Sequence, residues 1–250
     1  MRVFLTLWRR EVMAFFLSPI AYVIMVFFLL LMGLSFWMLI NILAQGPSSA
    51  GVMRVLFGES LFFWLAMLMV VPVTTMRLFA EERRSGTIET LMTAPVGDVT
   101  IVMAKYLGAL AFFIVLWAPT TLYAVVLMHV APQSAPIDWG TTVTTYLGTA
   151  CIGAFFLSVG VLTSALTRNQ AVAAIACFAV LCTFFFAGFI PYYARTPALQ
   201  EVGRYVSSVL HMMDFSRGAI DTRPLIFYLS LTAWTLFATV KVIESRKWKS

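Results

Sequence analysis

Charged side chains are scarce in this sequence. Asp, Glu, Lys and Arg make up 11% of the 250 residues, whereas 61% are hydrophobic. A soluble domain of this size is usually about 25% charged and less than half apolar. Together with a mean hydropathy of +0.92, the shortage of charge excludes an ordinary water-soluble domain and indicates a lipid environment.

Residue types that carry chemistry are also rare. Cys151, Cys177 and Cys182 lie inside apolar runs without metal-ligand spacing, so they are expected to be packing residues. His129 and His211 are predicted on the external side, and neither is placed as a catalytic base. The nucleotide-binding motif G-x-x-x-x-G-K-[ST] is missing. We therefore expect no catalytic residue, metal or cofactor on this chain.

Long apolar runs dominate the sequence instead. Residues 20–43 carry no charge and are long enough to cross a hydrocarbon core of about 30 Å as a helix. The runs do not alternate as membrane strands do. The sequence therefore predicts an all-α polytopic membrane protein, a single domain over residues 1–250 with six transmembrane helices. The predicted spans are about 20–43, 56–78, 106–129, 142–166, 171–193 and 224–243.

The distribution of positive charge predicts the orientation. Six spans put both termini on one side, together with residues 77–105 and 167–170. That side holds twelve of the 17 Lys and Arg residues, so the positive-inside rule assigns it to the cytoplasm. The cytoplasmic set is Arg2, Arg9, Arg10, Arg77, Arg83, Arg84, Lys105, Arg168, Lys241, Arg246, Lys247 and Lys249. The external set is Arg54, Arg195, Arg204, Arg217 and Arg223.

The N-terminal residues, 1–18, predict an amphipathic helix in the membrane interface. Phe4, Leu5, Trp8, Val12, Phe15 and Phe16 share one helical face, opposite Arg2, Thr6, Arg9 and Arg10. Ser18-Pro19 ends the helix, because a residue before proline disfavours helical geometry. No small-x-small cleavage site follows, so we expect a mature segment rather than a signal peptide. A cytoplasmic extension of the first span is the alternative.

The stretch EERRSGTIETLMTAP, residues 81–95, concentrates charge between the second and third spans. Thr87 suits a helix N-cap and Glu89 suits the positive end of a helix dipole. Ile88, Leu91 and Met92 then share one face of a short helix that ends at Pro95. Two interpretations stay open, a solvated loop at the headgroups or a cytoplasmic helix whose apolar face meets a partner protein.

The segment 194–223 shows a second amphipathic pattern. Leu199, Val202, Val206, Val209 and Met213 repeat at helical spacing, with polar residues between them. The pattern predicts an amphipathic helix on the external surface or dipping into the outer leaflet.

Four stretches resemble one family over nearly the whole chain. RLFAEERRSGTIETLMTAPVGDVTIVMAKYLGAL is similar to the cytoplasmic loop of type 2 ABC exporter permeases. WRREVMAFFLSPIAYVIMVFFLLLMGLSF, SALTRNQAVAAIACFAVL and HMMDFSRGAIDTRPLIFYLSLTAWTLF resemble the gliding-motility permease branch of that class. The resemblance implies a type 2 ABC exporter fold, with six spans after an interfacial elbow helix, in the inner membrane of a bacterium.

The resemblance also implies partners and site residues. Two permeases, identical or related, would pair on two cytoplasmic ATPase subunits that bind ATP and Mg²⁺, and an auxiliary membrane protein with a large external domain often accompanies this branch. Residues 194–223 would match the external re-entrant segment. The elbow helix would contribute Trp8, Arg9, Arg10 and Glu11. The coupling region, 79–100, would contact the ATPase through Glu81, Glu82, Arg83, Arg84, Gly86, Thr87, Glu89, Leu91, Thr93 and Pro95.

Two other functions compete with an ATP-driven exporter. One class of intramembrane proteases carries E-E-x-x-x-R, but here Gly86 stands at the arginine position after Glu81-Glu82, and no buried acid–base pair is visible. The other alternative is a non-transporting anchor, which transmits force from an ATPase to an envelope complex. The sequence does not identify a substrate.

Overall fold

The computed structural model describes residues 2–44, 51–86, 97–130 and 137–247. Within these ranges the chain is helical and contains no strand. The α-helices are α1 (Arg2–Phe16), α2 (Pro19–Ala44), α3 (Leu61–Thr75), α4 (Arg77–Arg84), α5 (Asp98–Trp117), α6 (Thr121–Val130), α7 (Trp139–Leu166), α8 (Gln170–Phe186), α9 (Ile190–Tyr193), α10 (Pro197–Val206), α11 (Ser208–Ser216) and α12 (Thr222–Lys247).

Six helical stretches of the described chain are long and apolar enough to cross a membrane. The predicted fold class, all-α with six spans after an N-terminal amphipathic helix, is therefore confirmed. The stretches are Pro19–Ala44, Leu61–Arg84, Asp98–His129, Trp139–Leu166, Gln170–Tyr193 and Thr222–Ser245.

The second stretch differs from its predicted bounds of 56–78 at both ends. Residues Arg54–Gly58 form a separate π-helical turn, and Ser60 caps α3 by accepting a hydrogen bond from the Phe63 N–H at 3.3 Å. At the other end, helix continues to Arg84 after a break at Met76. The predicted loop thus begins with two turns of helix, which the apolar pattern missed because these turns carry charge.

The third stretch begins at Asp98, eight residues before the predicted start at 106. Gly97 precedes it in an extended conformation, and Asp98 lies in the first turn, where a carboxylate is favoured by the helix dipole. Lys105, predicted as a loop charge, therefore lies inside α5. A short 3₁₀ turn, Ala118–Thr120, links α5 to α6.

Helix α7 lies at the centre of the bundle, in contact with α3, α5, α8, α11 and α12. Three of its glycines each face a different neighbour so closely that a Cβ atom would come within 3.0 Å of it. Gly148 faces Phe215 of α11, Gly153 faces Phe113 of α5, and Gly160 faces Thr75 of α3. Small residues let membrane helices approach each other closely, so these glycines fix the spacing around α7.

Hydrogen bonds between helices add to this packing. The hydroxyls of Ser158 in α7 and Thr235 in α12 lie 2.6 Å apart. Thr144 of α7 donates to the Phe215 carbonyl at 2.8 Å. Such bonds between membrane helices are typically worth about 0.6 kcal/mol each, so they align the helices more than they stabilise the bundle.

The amphipathic segment 194–223 contains two short helices rather than one. Ser207 is extended, so it ends α10 and also caps α11 by accepting a hydrogen bond from the Leu210 N–H at 3.1 Å. Helix α11 packs against α7 and against the Arg54–Gly58 turn. The prediction of a single helix is therefore wrong, because Ser207 ends one helix and caps the next.

Within α11, His211 is buried against the first turns of α12. Its Nδ1 lies 2.9 Å from the Tyr228 hydroxyl. Burial lowers the pKa of His211 to about 4, against a smaller raising effect from the Asp221 carboxylate. The imidazole is therefore neutral at pH 7 in the folded protein.

The buried histidine predicts a loss of stability in acid. An unfolded chain would take up this proton near pH 6.5, whereas the folded chain takes it up only near pH 4. Stability should thus fall as the pH is lowered through 6.5 and level off near 4, by roughly 1–2 kcal/mol between pH 7.5 and 5. Thermal unfolding of the detergent-purified protein at both pH values, wild type against His211→Gln, measures this. An equal pH dependence in both proteins would contradict it.

Candidate functional site

Four charged side chains from three helices meet at one end of the bundle. Lys105 of α5 lies with its Nζ 2.7 Å from Glu82 Oε1 of α4 and 3.4 Å from Glu11 Oε2 of α1. Arg10 of α1 lies 3.0 Å from Glu11 Oε1 and 4.0 Å from Glu82 Oε1. We call these four residues the ionic junction.

The ionic junction is largely shielded from water. The Lys105 side chain is 3% exposed, Glu11 11% and Glu82 22%, whereas Arg10 is 56% exposed. The Lys105 ammonium also lies 5.3 Å from the centre of the Phe79 ring, a distance that allows a cation–π interaction. A buried ion pair gains little overall stability, but removing one partner leaves an uncompensated charge and is costly. The junction therefore fixes which helices lie together.

Helix α1 reaches the junction by packing on α5. A Cβ at Gly108 would lie 3.0 Å from Glu11 Cβ, a tighter contact than most Cβ atoms make, so glycine favours this close approach. Beyond it, Phe15 of α1 stacks on Phe112 of α5 with ring centres 5.1 Å apart. The packed face of α1 thus includes a charged residue, Glu11, whereas Leu5, predicted on the apolar face, is 55% exposed.

Helix α4 is held by the end of α7. The first N–H groups of a helix lack partners within the helix, and Ser164 Oγ of α7 accepts from the N–H groups of Phe79 and Ala80 at 3.0 and 3.2 Å. The same hydroxyl donates to the Met76 carbonyl at 3.0 Å. Arg83 Nη1 donates to the Ala165 carbonyl at 2.8 Å, in the last turn of α7, where a cation is favoured.

Helix α4 ends inside the segment predicted to contact an ATPase, residues 79–100. Ser85 caps the helix, and Gly86 has a φ of +74°, which glycine adopts without strain. Thr87, Glu89, Leu91, Thr93 and Pro95 lie outside the described residues. The chain is described again from Gly97, where it enters α5 and leads to Lys105.

The predicted site residues separate into two groups. Arg10, Glu11 and Glu82 meet in the ionic junction, and Arg83 bonds to α7. The others have no part in the junction: Trp8 is half-buried, Arg9, Glu81 and Arg84 are exposed, and Gly86 ends α4.

Two residues that organise the site were not predicted, Lys105 and Ser164. Lys105 had a usable signal, because a lysine flanked by apolar residues needs a partner. Ser164 had no usable signal in the sequence, because serines are frequent in membrane helices. Its role as an acceptor depends on where α3 meets α4 at Met76, which the sequence pattern does not show.

A comparison with models of protein families identifies the family of this chain. The model of the ABC-2 family transporter protein matches residues 62–246, about three quarters of the 250-residue chain. The chain belongs to the ABC-2 transporter family. This ABC-2 protein has Glu82 and Lys105 inside the matched range, and Arg10 and Glu11 outside it. A comparison with curated proteins gave no match.

Family and fold together establish the coarse function. With six helices able to cross a membrane in the part of the chain that the structure describes, this ABC-2 protein is a multi-pass membrane protein and a permease subunit of a transporter. The ionic junction joins α1, α4 and α5, and Ser164 and Arg83 join α4 to α7. The helices on either side of residues 87–96 are thus attached to the elbow helix and to the centre of the bundle.

Proposed function

We propose that this ABC-2 permease couples ATP hydrolysis on a cytoplasmic partner subunit to transport, through the coupling region 79–100. One observation carries the proposal. Glu82 of α4, immediately before the central part of that region, and Lys105 of α5, just after it, form a 2.7 Å ion pair. A movement of the residues between Glu82 and Lys105 therefore acts on two helices, α4 and α5, that are joined by a buried ion pair.

Charge at the junction end supports a cytoplasmic orientation. Arg10, Arg77, Arg83 and Arg84 all belong to α1 or α4 at this end of the bundle. The positive-inside rule favours the cytoplasmic side for such an end, and in a bacterial inner membrane both termini would then be cytoplasmic. ATP and Mg²⁺ would bind to the ATPase subunits.

The proposed mechanism has two states. Closure of two ATPase subunits around ATP pushes on the coupling region of each permease in a pair, either two copies of this chain or this chain with a relative. The ionic junction passes the movement to α1 and α5, and α4 passes it to α7. The cavity between the permeases then opens to the opposite side of the membrane. ATP shifts the equilibrium between the two orientations only by the difference in its affinity for them. Resemblance to the gliding-motility branch favours export and an auxiliary external protein.

The proposal predicts a co-purifying ATPase that depends on Leu91. Affinity purification of the full chain from its native membrane, under mild conditions, should recover an ATP-binding subunit. Leu91→Ala should reduce that recovery about tenfold or more, because a few residues packed into the centre of an interface carry most of its binding energy. Quantitative mass spectrometry of the co-purified proteins measures the ratio.

Leu17→Ala is the matched control, because Leu17 is 82% exposed and lies outside the coupling region. It should leave the recovery unchanged. A wild-type chain that recovers no ATPase, or a Leu91→Ala chain that recovers as much as the control, would overturn the proposal. ATP-dependent movement of a solute or lipid in reconstituted vesicles then separates transport from force transmission without transport.

A further inference from the structure

A cleft of about 170 Å³ opens beside the ionic junction, between α1, the start of α2 and the end of α3 with α4. It lies where the chain turns from the amphipathic helix α1 into the first span at Ser18-Pro19. Amphipathic helices lie at the boundary of headgroups and acyl chains. The mouth of the cleft is therefore at the level of the lipid headgroups.

One wall of the cleft is apolar and follows the first span into the membrane. Ile20, Ala21 and Ile24 line it from α2, with Val73 and Leu78 opposite. Ile24 lies one helical turn beyond Ile20, about 6 Å further along the axis. This wall suits the first carbons of an acyl chain, whose remainder would continue into the bilayer.

The rim of the cleft presents both signs of charge side by side. Arg77 Nε lies 3.3 Å from Glu81 Oε2, and Arg77 Nη1 donates to Ser18 Oγ at 3.1 Å. The Arg77 side chain is 31% exposed and Glu81 55% exposed, so both can still bind a ligand from the membrane surface.

The charge of the lining selects the kind of ligand. The lining holds Arg77 and Lys105 with Glu11, Glu81 and Glu82, and Arg10 beside it pairs with Glu11, so the charges of the site balance. A guanidinium binds phosphate well through paired N–H groups. A balanced site with Arg77 and Glu81 side by side at its rim has one carboxylate for each cation, so it favours a headgroup that carries an ammonium as well as a phosphate.

We propose that this cleft binds a phospholipid with an ethanolamine headgroup. Its phosphate contacts Arg77, its ammonium contacts Glu81, and one acyl chain begins along Ile20 and Ile24. A choline headgroup has the same charges but no N–H to donate to Glu81, and a glycerol headgroup has no cation.

Native mass spectrometry of the full-length protein tests the proposal. The purified chain is equilibrated with equal amounts of ethanolamine, choline and glycerol phospholipids with identical acyl chains, and the retained lipids are counted. The ethanolamine lipid should be enriched. Arg77→Gln and Glu81→Gln should each lower its retention about tenfold, the effect of 1.4 kcal/mol. Arg84→Gln, an exposed change on the same helix, is the matched control.

A second pair of variants tests the apolar wall. Ile24→Trp should fill the cleft and reduce retention of all three lipids, whereas Leu30→Trp, on a 62% exposed position of the same helix, should not. Glu81→Gln changes only an exposed side chain, so it keeps the test valid if the Arg77 or Ile24 variants fold poorly.

Several results would overturn the proposal. These are equal retention of the three lipids, stronger retention of the glycerol lipid, or unchanged retention in Glu81→Gln and Ile24→Trp. A photoreactive residue at position 20 that captures a peptide segment instead of lipid would also overturn it. The assay measures lipid binding alone, so its outcome is independent of the proposed coupling to an ATPase.

Discussion

Replacing Lys105 with methionine should destabilise the folded permease by about 3–5 kcal/mol, the usual cost of removing one partner from a buried ion pair. Methionine preserves most of the volume and the apolar stem, so the effect isolates the lost charge. Arg10 would remain beside Glu11 and Glu82, but it is half-exposed and 4.0 Å from Glu82. Thermal unfolding in detergent, followed by size-exclusion chromatography of the heated protein, measures the loss as a lower midpoint.

Lys241→Met is the matched control for this change. Lys241 pairs with Glu244 at 2.7 Å, but both side chains are exposed, and such pairs contribute only about 0–1 kcal/mol. A triple variant, Lys105→Met with Glu11→Gln and Glu82→Gln, should recover much of the stability, because no unpaired charge stays buried. Equal midpoints for Lys105→Met and Lys241→Met would show that the junction is not a buried ionic cluster.

Among alanine substitutions at the glycines of the first and fourth spans, Gly160→Ala should lower the stability of the folded protein most. The new Cβ would lie 2.7 Å from Thr75 Cβ, which is bonded directly to the backbone, so α3 and α7 must separate. Overpacking of this kind usually costs about 1–3 kcal/mol. The unfolding midpoint in detergent should fall, and the yield of monodisperse protein should fall with it.

Gly33→Ala provides the contrast, since a Cβ at Gly33 of α2 meets nothing within 4 Å. Alanine favours a helix over glycine by up to about 1 kcal/mol, so this variant should be neutral or slightly more stable. Equal behaviour of the two variants would mean that α3 and α7 do not approach each other as closely as Gly160 indicates.

The sequence predicted the spans because apolar runs alone determine which segments enter a membrane. It missed the helical turns next to them, since Glu81–Arg84 and Asp98–Lys105 carry charges that resemble a solvated loop. Two of those charges, Glu82 and Lys105, lie buried or partly buried and pair with each other across α4 and α5, beside Glu11 of α1. That pairing joins residues 11, 82 and 105, and no local pattern specifies it.

The glycines of α7 mark a second limit. Gly148, Gly153 and Gly160 do not repeat at a fixed spacing on one face, because each faces a different neighbour. The small-residue patterns used to predict helix contacts assume one partner per face. A helix that packs against neighbours on all sides therefore shows no simple repeat of small residues in its sequence. Its central position becomes evident only in the folded chain.

The Ser164 hydroxyl has a mechanical consequence. It binds three backbone groups around Met76, where α3 meets α4, so α4 is attached to α7 as well as to α3. One turn earlier in α7, Gly160 faces Thr75, the last residue of α3, so α7 holds the second span on both sides of Met76. Force applied beyond Arg84 therefore reaches the second and fourth membrane spans together.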